Sequence, residues 1–332
     1  MKDYGKTTKH HGKSGKTSLF SLLRKNSTFL IGLSITLISL YIFQSKINFA
    51  EIYDQFKNIN FLFLFFGIIA LLTGYILRIF RWSYILSTDS RKISMKSCFS
   101  AYMGSIALNN TLPLRAGDII RLIVFPAVMK ISKSQSGGSF LIERMFDIIV
   151  LTIMLSIFLS ISSKSFGAFI NPYIYNIPLI LGISIFCWLM FVVIIKIFKS
   201  KIKEFTNKIR YMLRLDKLFF AFLLSIAVWT CEAGLFFNIL LSLGVDFDFP
   251  TAIFITSLIT LGTLIPSAPG YFGTFHIIGY SVLINLGESS LIAGSFAIIS
   301  HTILWTLTTI IGLLAMIFNL ELFRGFKINW MK

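Results

Sequence analysis

A chain of 332 residues that is 55% hydrophobic, with a mean hydropathy of +0.80, is not an ordinary soluble domain. Its formal charge of +17 does not indicate nucleic acid as a partner, because the basic residues sit in short stretches between apolar runs, as the positive-inside rule produces. Cys98, Cys187 and Cys231 lie far apart in apolar segments without CxxC spacing, so they read as packing residues, and no metal or cofactor is expected.

Residues 1–27 read as a disordered basic cytosolic tail, with seven Lys or Arg among Gly, Ser, Thr and His. Its Gly12-Lys13-Ser14-Gly15-Lys16-Thr17 run misses the phosphate-loop spacing, and no strand precedes it. Phe29 to Phe43 is a first span, since no small-x-small cleavage site follows it. Glu51 to Phe56 is a short amphipathic piece for the membrane interface. Phe61 to Trp82 is the second span, with Arg78 and Arg81 read as the start of a cytosolic basic cluster.

Ser97 to about Val128 cannot be one continuous helix. Pro113 removes a backbone donor and drives Leu112 out of helical geometry, and Arg115, Gly117, Asp118 and Arg121 follow. Broken backbone at membrane depth is tolerated only where protein buries it or a polar cavity bathes it. Lysines at both ends suggest a re-entrant hairpin that enters and leaves on the cytosolic side. Spans follow at Ser139–Ile161, Ile177–Ile197 and Leu218–Leu243, with a basic amphipathic stretch at 199–217 suited to anionic headgroups. Gly244 to Gly287 repeats the theme, because two prolines and two glycines between Pro266 and Gly273 stop the helix. Acidic flanks place this hairpin on the outer side, and Leu291 to Phe318 is the last span, before a cytosolic tail at 321–332. Residues 28–320 therefore read as a single integral membrane domain.

The expected fold is an all-α polytopic membrane protein with about six full spans and two opposed re-entrant hairpins, an inverted repeat. Two kinked full spans in place of the hairpins would keep both termini on the same side. Of the 31 basic residues, 25 fall inside under this layout and three outside (Lys46, Lys57, Lys164), giving N-in, C-in topology in the cytoplasmic membrane.

Three motifs carry a family resemblance: Asn110-x-Leu112-Pro113-x-Arg115-x-Gly117-Asp118-x-x-Arg121, Glu143-Arg144-x-x-Asp147, and Pro266-Ser267-Ala268-Pro269-Gly270-x-x-Gly273. The chain resembles the lysylphosphatidylglycerol synthase transmembrane region, a flippase-like membrane domain, over nearly its whole length after about residue 25. The resemblance implies handling or translocation of lipids, with aminoacylated phosphatidylglycerol, other phospholipids and lipid-linked glycans as substrate classes. Two features depart from the family pattern. The soluble aminoacyl-transferase domain of synthase-type members is not in this sequence, so aminoacyl transfer is not implied. His276 also stands near the place where many relatives carry a Glu.

The candidate headgroup-binding residues are Asn110, Arg115, Arg121, Ser267, Gly270, Gly273 and His276. Arginine offers a planar fork that can grip a phosphodiester bidentately, though structural salt bridges are the alternative for Arg115 and Arg121. Asp118, three residues before Arg121, is expected to orient it. Glu143 and Asp147 share a helix face, and with Arg144 they should form a buried charge network or face water. Glu232 stands alone in its span and is expected to find a cation, with Arg115 as one candidate, or else to take up a proton or meet a cationic headgroup. His276 and His301 are candidates for proton coupling, against the plainer reading as packing residues.

These residues predict a lipid flippase acting on membrane lipids, without enzymatic activity or nucleic-acid partner, either as a homo-oligomer or beside a lipid-synthesis enzyme. The alternatives are a membrane enzyme acting on a lipid-linked substrate and a non-transporting lipid-binding accessory protein.

Overall fold

The structure is a computed structural model that describes residues 27–88, 92–162, 205, 207, 209–264 and 268–320. The expected fourth span, residues 199–204, 206 and 208 of the basic stretch, both tails and Ser267 lie outside these residues. Everything described is helical or connecting. The helices are α1 (Ser27–Gln44), α2 (Phe49–Lys57), α3 (Phe61–Leu86), α4 (Met95–Thr111), α5 (Ala116–Ile123), α6 (Phe125–Val128), α7 (Lys133–Ser162), α8 (Leu215–Ser242), α9 (Phe249–Gly262), α10 (Thr274–Asn285) and α11 (Ser290–Ile317).

Among the described residues α3, α8 and α11 are each long and apolar enough to cross a membrane. Among the described residues their outer faces carry exposed apolar side chains, such as Phe65, Ile76 and Phe219, of the kind that faces lipid. At 30 residues α7 has the length to cross as well, but Glu143, Arg144 and Asp147 interrupt its apolar surface. Side-chain caps fix several helix starts: Asn60 Oδ1 accepts from the Leu62 amide at 3.0 Å, and Asp248 Oδ1 from the Thr251 amide at 2.9 Å.

Both predicted breaks are present, and each folds its segment into a hairpin. In the first, Leu112 is extended (φ −108°, ψ 148°), Pro113–Arg115 makes one 3₁₀ turn, and α5 returns against α4. That return is so close that a Cβ on Gly117 would lie 1.8 Å from the Ser105 carbonyl oxygen. In the second, α9 ends at Gly262, a turn spans Pro269–Tyr271, and α10 folds back onto α9. Gly270 and Gly273 there adopt φ of 68° and 81°, which a side chain would resist.

The packing repeats. Helix α3 lies on α4 as α8 lies on α9, and α5 meets α7 as α10 meets α11. Helix α11 packs along the first arm of hairpin one, and α7 along the first arm of hairpin two. The two lead helices, α3 and α8, share the most extensive interface among the described residues, and the two hairpin tips touch. This exchange pattern is what two helix–hairpin–helix units related by an approximate two-fold produce, and it brings both breaks to the centre.

Candidate functional site

A cavity of about 220 Å³ opens where the two tips meet. Hairpin one contributes Asn109, Asn110, Arg115, Asp118 and Arg121, hairpin two Thr260, Thr263, Gly270 and Tyr271. The long helices complete the wall with Arg78, Arg144, Glu232, His301 and Trp305 among others. The cavity is thus polar, charged and half open, set among apolar helices in which the buried ions need partners.

Three buried ion pairs stand behind and beside it. Arg121, 2% exposed, donates to Glu143 Oε2 at 2.5 Å, and its guanidinium lies over the rings of Trp82 (4.1 Å) and Tyr102 (4.4 Å). Arg81 is fully buried and donates to Asp147 Oδ1 at 2.8 Å and Ser225 Oγ at 2.6 Å. Asp147 Oδ1 also accepts from Trp229 Nε1 at 3.2 Å. Arg78 pairs with Glu232, and its guanidinium lies 4.4 Å from the Trp229 ring.

Arg78 and Arg81 correct the sequence reading, which set them at the cytosolic end of the second span as the start of a basic cluster. Helix α3 continues to Leu86, so both lie within its interior, three residues apart and on one face toward α7 and α8. The missed signal was Arg at i and i+3 in a run that stays helical, together with an unpartnered Glu232. Lys217 is a second correction. It is buried rather than set among headgroups, and its ammonium donates to the carbonyls of Tyr84 and Ser87 at the end of α3.

The remaining expected site residues fall into distinct places. Arg115 is exposed at the tip of hairpin one, in left-handed backbone (φ 51°). Its Nη2 reaches the Thr263 carbonyl at 3.4 Å and its guanidinium lies 5.4 Å from the Tyr271 ring, so it spans both hairpins. It does not pair with Glu232, whose partner is Arg78. Asp118 does not orient Arg121 through an ion pair; it accepts from Asn109 Nδ2 at 3.0 Å, while its own amide donates to Asn109 Oδ1. Asn110 ties the tip to α11, donating to Thr308 and Thr309 hydroxyls at 3.0 and 2.9 Å. Arg144 faces the cavity, and its closest carboxylate oxygen, Asp147 Oδ2, is 3.8 Å away.

Gly270 lies against Trp305 Nε1, which a Cβ would approach to 2.6 Å, and its carbonyl contacts His301 Nε2 at 2.7 Å. Gly273 is away from the cavity wall and lets hairpin two approach α1, where a Cβ would meet the Thr36 carbonyl oxygen at 2.6 Å. His276 is likewise outside the wall, in an aromatic cluster with Phe43, Phe272 and His301. His301, one helix over, is the histidine that reaches the cavity.

The family described as the lysylphosphatidylglycerol synthase TM region matches residues 29–312 of the chain. No curated protein and no solved structure matches it significantly.

Proposed function

The chain belongs to the lysylphosphatidylglycerol synthase transmembrane-region family, an integral membrane family with a lipid-related role, and on that footing we propose that it translocates a phosphate-containing lipid between membrane leaflets. The observation that carries this reading is Arg115. It stands at the meeting point of two broken hairpins, in a charged cavity, where among the described residues its fork meets the Thr263 carbonyl at 3.4 Å and the Tyr271 ring at 5.4 Å. A lipid headgroup cannot enter hydrocarbon unless something replaces its water, and guanidinium groups lining a central cavity do so for a phosphodiester.

In this reading the hairpins are re-entrant, one from each face of the membrane. The acyl chains stay in lipid while the headgroup passes between the tips. No bond is made or broken. The buried pairs Arg78–Glu232, Arg81–Asp147 and Arg121–Glu143 set the framework that keeps Arg115 and Arg144 in position. Both termini lie on the cytosolic side of the cytoplasmic membrane. The basic residues outside the described helices keep that bias even after Arg78 and Arg81 move to the interior.

Reconstitution of the purified chain into vesicles with a labelled phospholipid in one leaflet tests the reading. Exchange faster than in protein-free vesicles is expected. Exchange at the protein-free rate, with folded protein present, refutes it.

A further inference from the structure

The cavity does not balance its own charge. Around it and directly behind it, the described residues supply five guanidinium groups (Arg78, Arg81, Arg115, Arg121, Arg144) and four carboxylates (Asp118, Glu143, Asp147, Glu232). Three ion pairs, Arg78–Glu232, Arg81–Asp147 and Arg121–Glu143, remove three of each. What is left is Arg115 and Arg144 against Asp118, one positive charge in excess. Asp118 is held by the neutral amide of Asn109. Arg144 sits 3.8 Å from Asp147, whose other oxygen already binds Arg81 and Trp229, and its buried Nε has no hydrogen-bond partner among the described residues.

Arg115 is exposed and the Arg144 side chain is 41% exposed, so both guanidinium groups can reach a ligand, and a ligand of opposite charge complements the excess. A ligand of one net negative charge neutralises the site. A zwitterion leaves the excess in place, and a pyrophosphate overshoots it. An apolar cavity of about 150 Å³ holds a benzene molecule, so about 220 Å³ has room for a phosphodiester with a few further heavy atoms. Resting on the lipid-translocation reading above, we propose that the cavity selects a monoanionic phosphodiester with a small uncharged headgroup, over zwitterionic phospholipids and pyrophosphate-linked carriers.

Native mass spectrometry of the purified full chain tests this, with phosphatidylglycerol, phosphatidylethanolamine and a polyprenyl pyrophosphate offered in equal amounts. Wild type is expected to retain phosphatidylglycerol over phosphatidylethanolamine by about tenfold, the scale of one charge-assisted hydrogen bond. Arg115→Gln makes the cavity neutral and should bring that ratio toward one. Asp118→Asn keeps an oxygen for Asn109 while adding a charge, and should raise retention of the pyrophosphate about tenfold. Lipid binding with the same ratios in all three proteins overturns the charge assignment and leaves the lipid reading standing.

If wild type retains no lipid, the lipid reading fails, and the deacylated diester glycerophosphoglycerol decides the charge assignment alone. Binding of it in preference to glycerophosphoethanolamine, lost in Arg115→Gln, supports a soluble monoanionic diester as the ligand. Binding of neither overturns the assignment as well.

Discussion

Arg115 and Tyr271 meet across the two hairpin tips, guanidinium over ring at 5.4 Å, and both hold left-handed backbone, with φ of 51° and 59°. A non-glycine residue in that region carries a cost of about 1–2 kcal/mol, and such residues cluster where function requires a particular geometry. Arg115→Gly should therefore leave the thermal midpoint unchanged or raise it, while reducing leaflet exchange at least about tenfold, the loss of one charge-assisted contact. The pair of measurements is a melting curve in detergent and an exchange rate in vesicles. A variant that melts early, or one that exchanges normally, contradicts the assignment.

Arg78 and Glu232 join the two lead helices α3 and α8 from inside. Removing one partner of a largely buried pair leaves the other uncompensated, at a cost of up to about 3–5 kcal/mol, whereas removing both charges together is often close to neutral. Arg78→Gln alone should lower the unfolding midpoint sharply. The double change with Glu232→Gln should recover most of the loss. Equal destabilisation by the single and double variants would show that the pair is not coupled.

Gly117 sets the closure of hairpin one, since its Cβ would fall 1.8 Å from backbone at Ser105. Gly117→Ala should abolish folded protein in size-exclusion chromatography. Gly137→Ala, where a Cβ meets nothing within 4 Å, is the matched control and should be neutral or slightly stabilising.

His276 has a buried Nδ1 without a hydrogen-bond partner and packs against Phe43 and Phe272. His276→Phe should be tolerated or stabilising and should leave exchange unchanged, because the side chain is not on the cavity wall. His301→Leu is the contrast. It takes away the imidazole nitrogen 2.7 Å from the Gly270 carbonyl, and it should destabilise by about 1–3 kcal/mol.

The hairpins were legible because proline and glycine act locally: Pro113 fixes Leu112 whatever surrounds it, and Gly270 and Gly273 permit the turn of hairpin two. The charged motif on α7 was legible too, since Glu143 and Asp147 four apart must share a face. Partner choice was not, because it depends on which helices adjoin. Arg78 and Glu232 are 154 residues apart, and only the α3–α8 interface makes them neighbours. Arg81 was read as the cytosolic end of its span for a related reason: a basic residue near the end of an apolar run suits a cytosolic boundary or a buried pair equally well until the neighbouring helix is known. His276 was favoured over His301 from a family position, yet the turn of hairpin two directs the first into aromatic packing and leaves the second on the cavity.

The central claim is that a headgroup passes between the hairpin tips, and blocking that space tests it most directly. Thr260 lines the cavity, and Thr260→Cys can be alkylated with a bulky maleimide in vesicles, with alkylated wild type, which carries Cys98, Cys187 and Cys231, as the control. The account predicts near wild-type exchange before alkylation and the protein-free rate after it, while the control keeps its activity. Undiminished exchange after complete alkylation, verified by the mass shift, would place the lipid's path elsewhere.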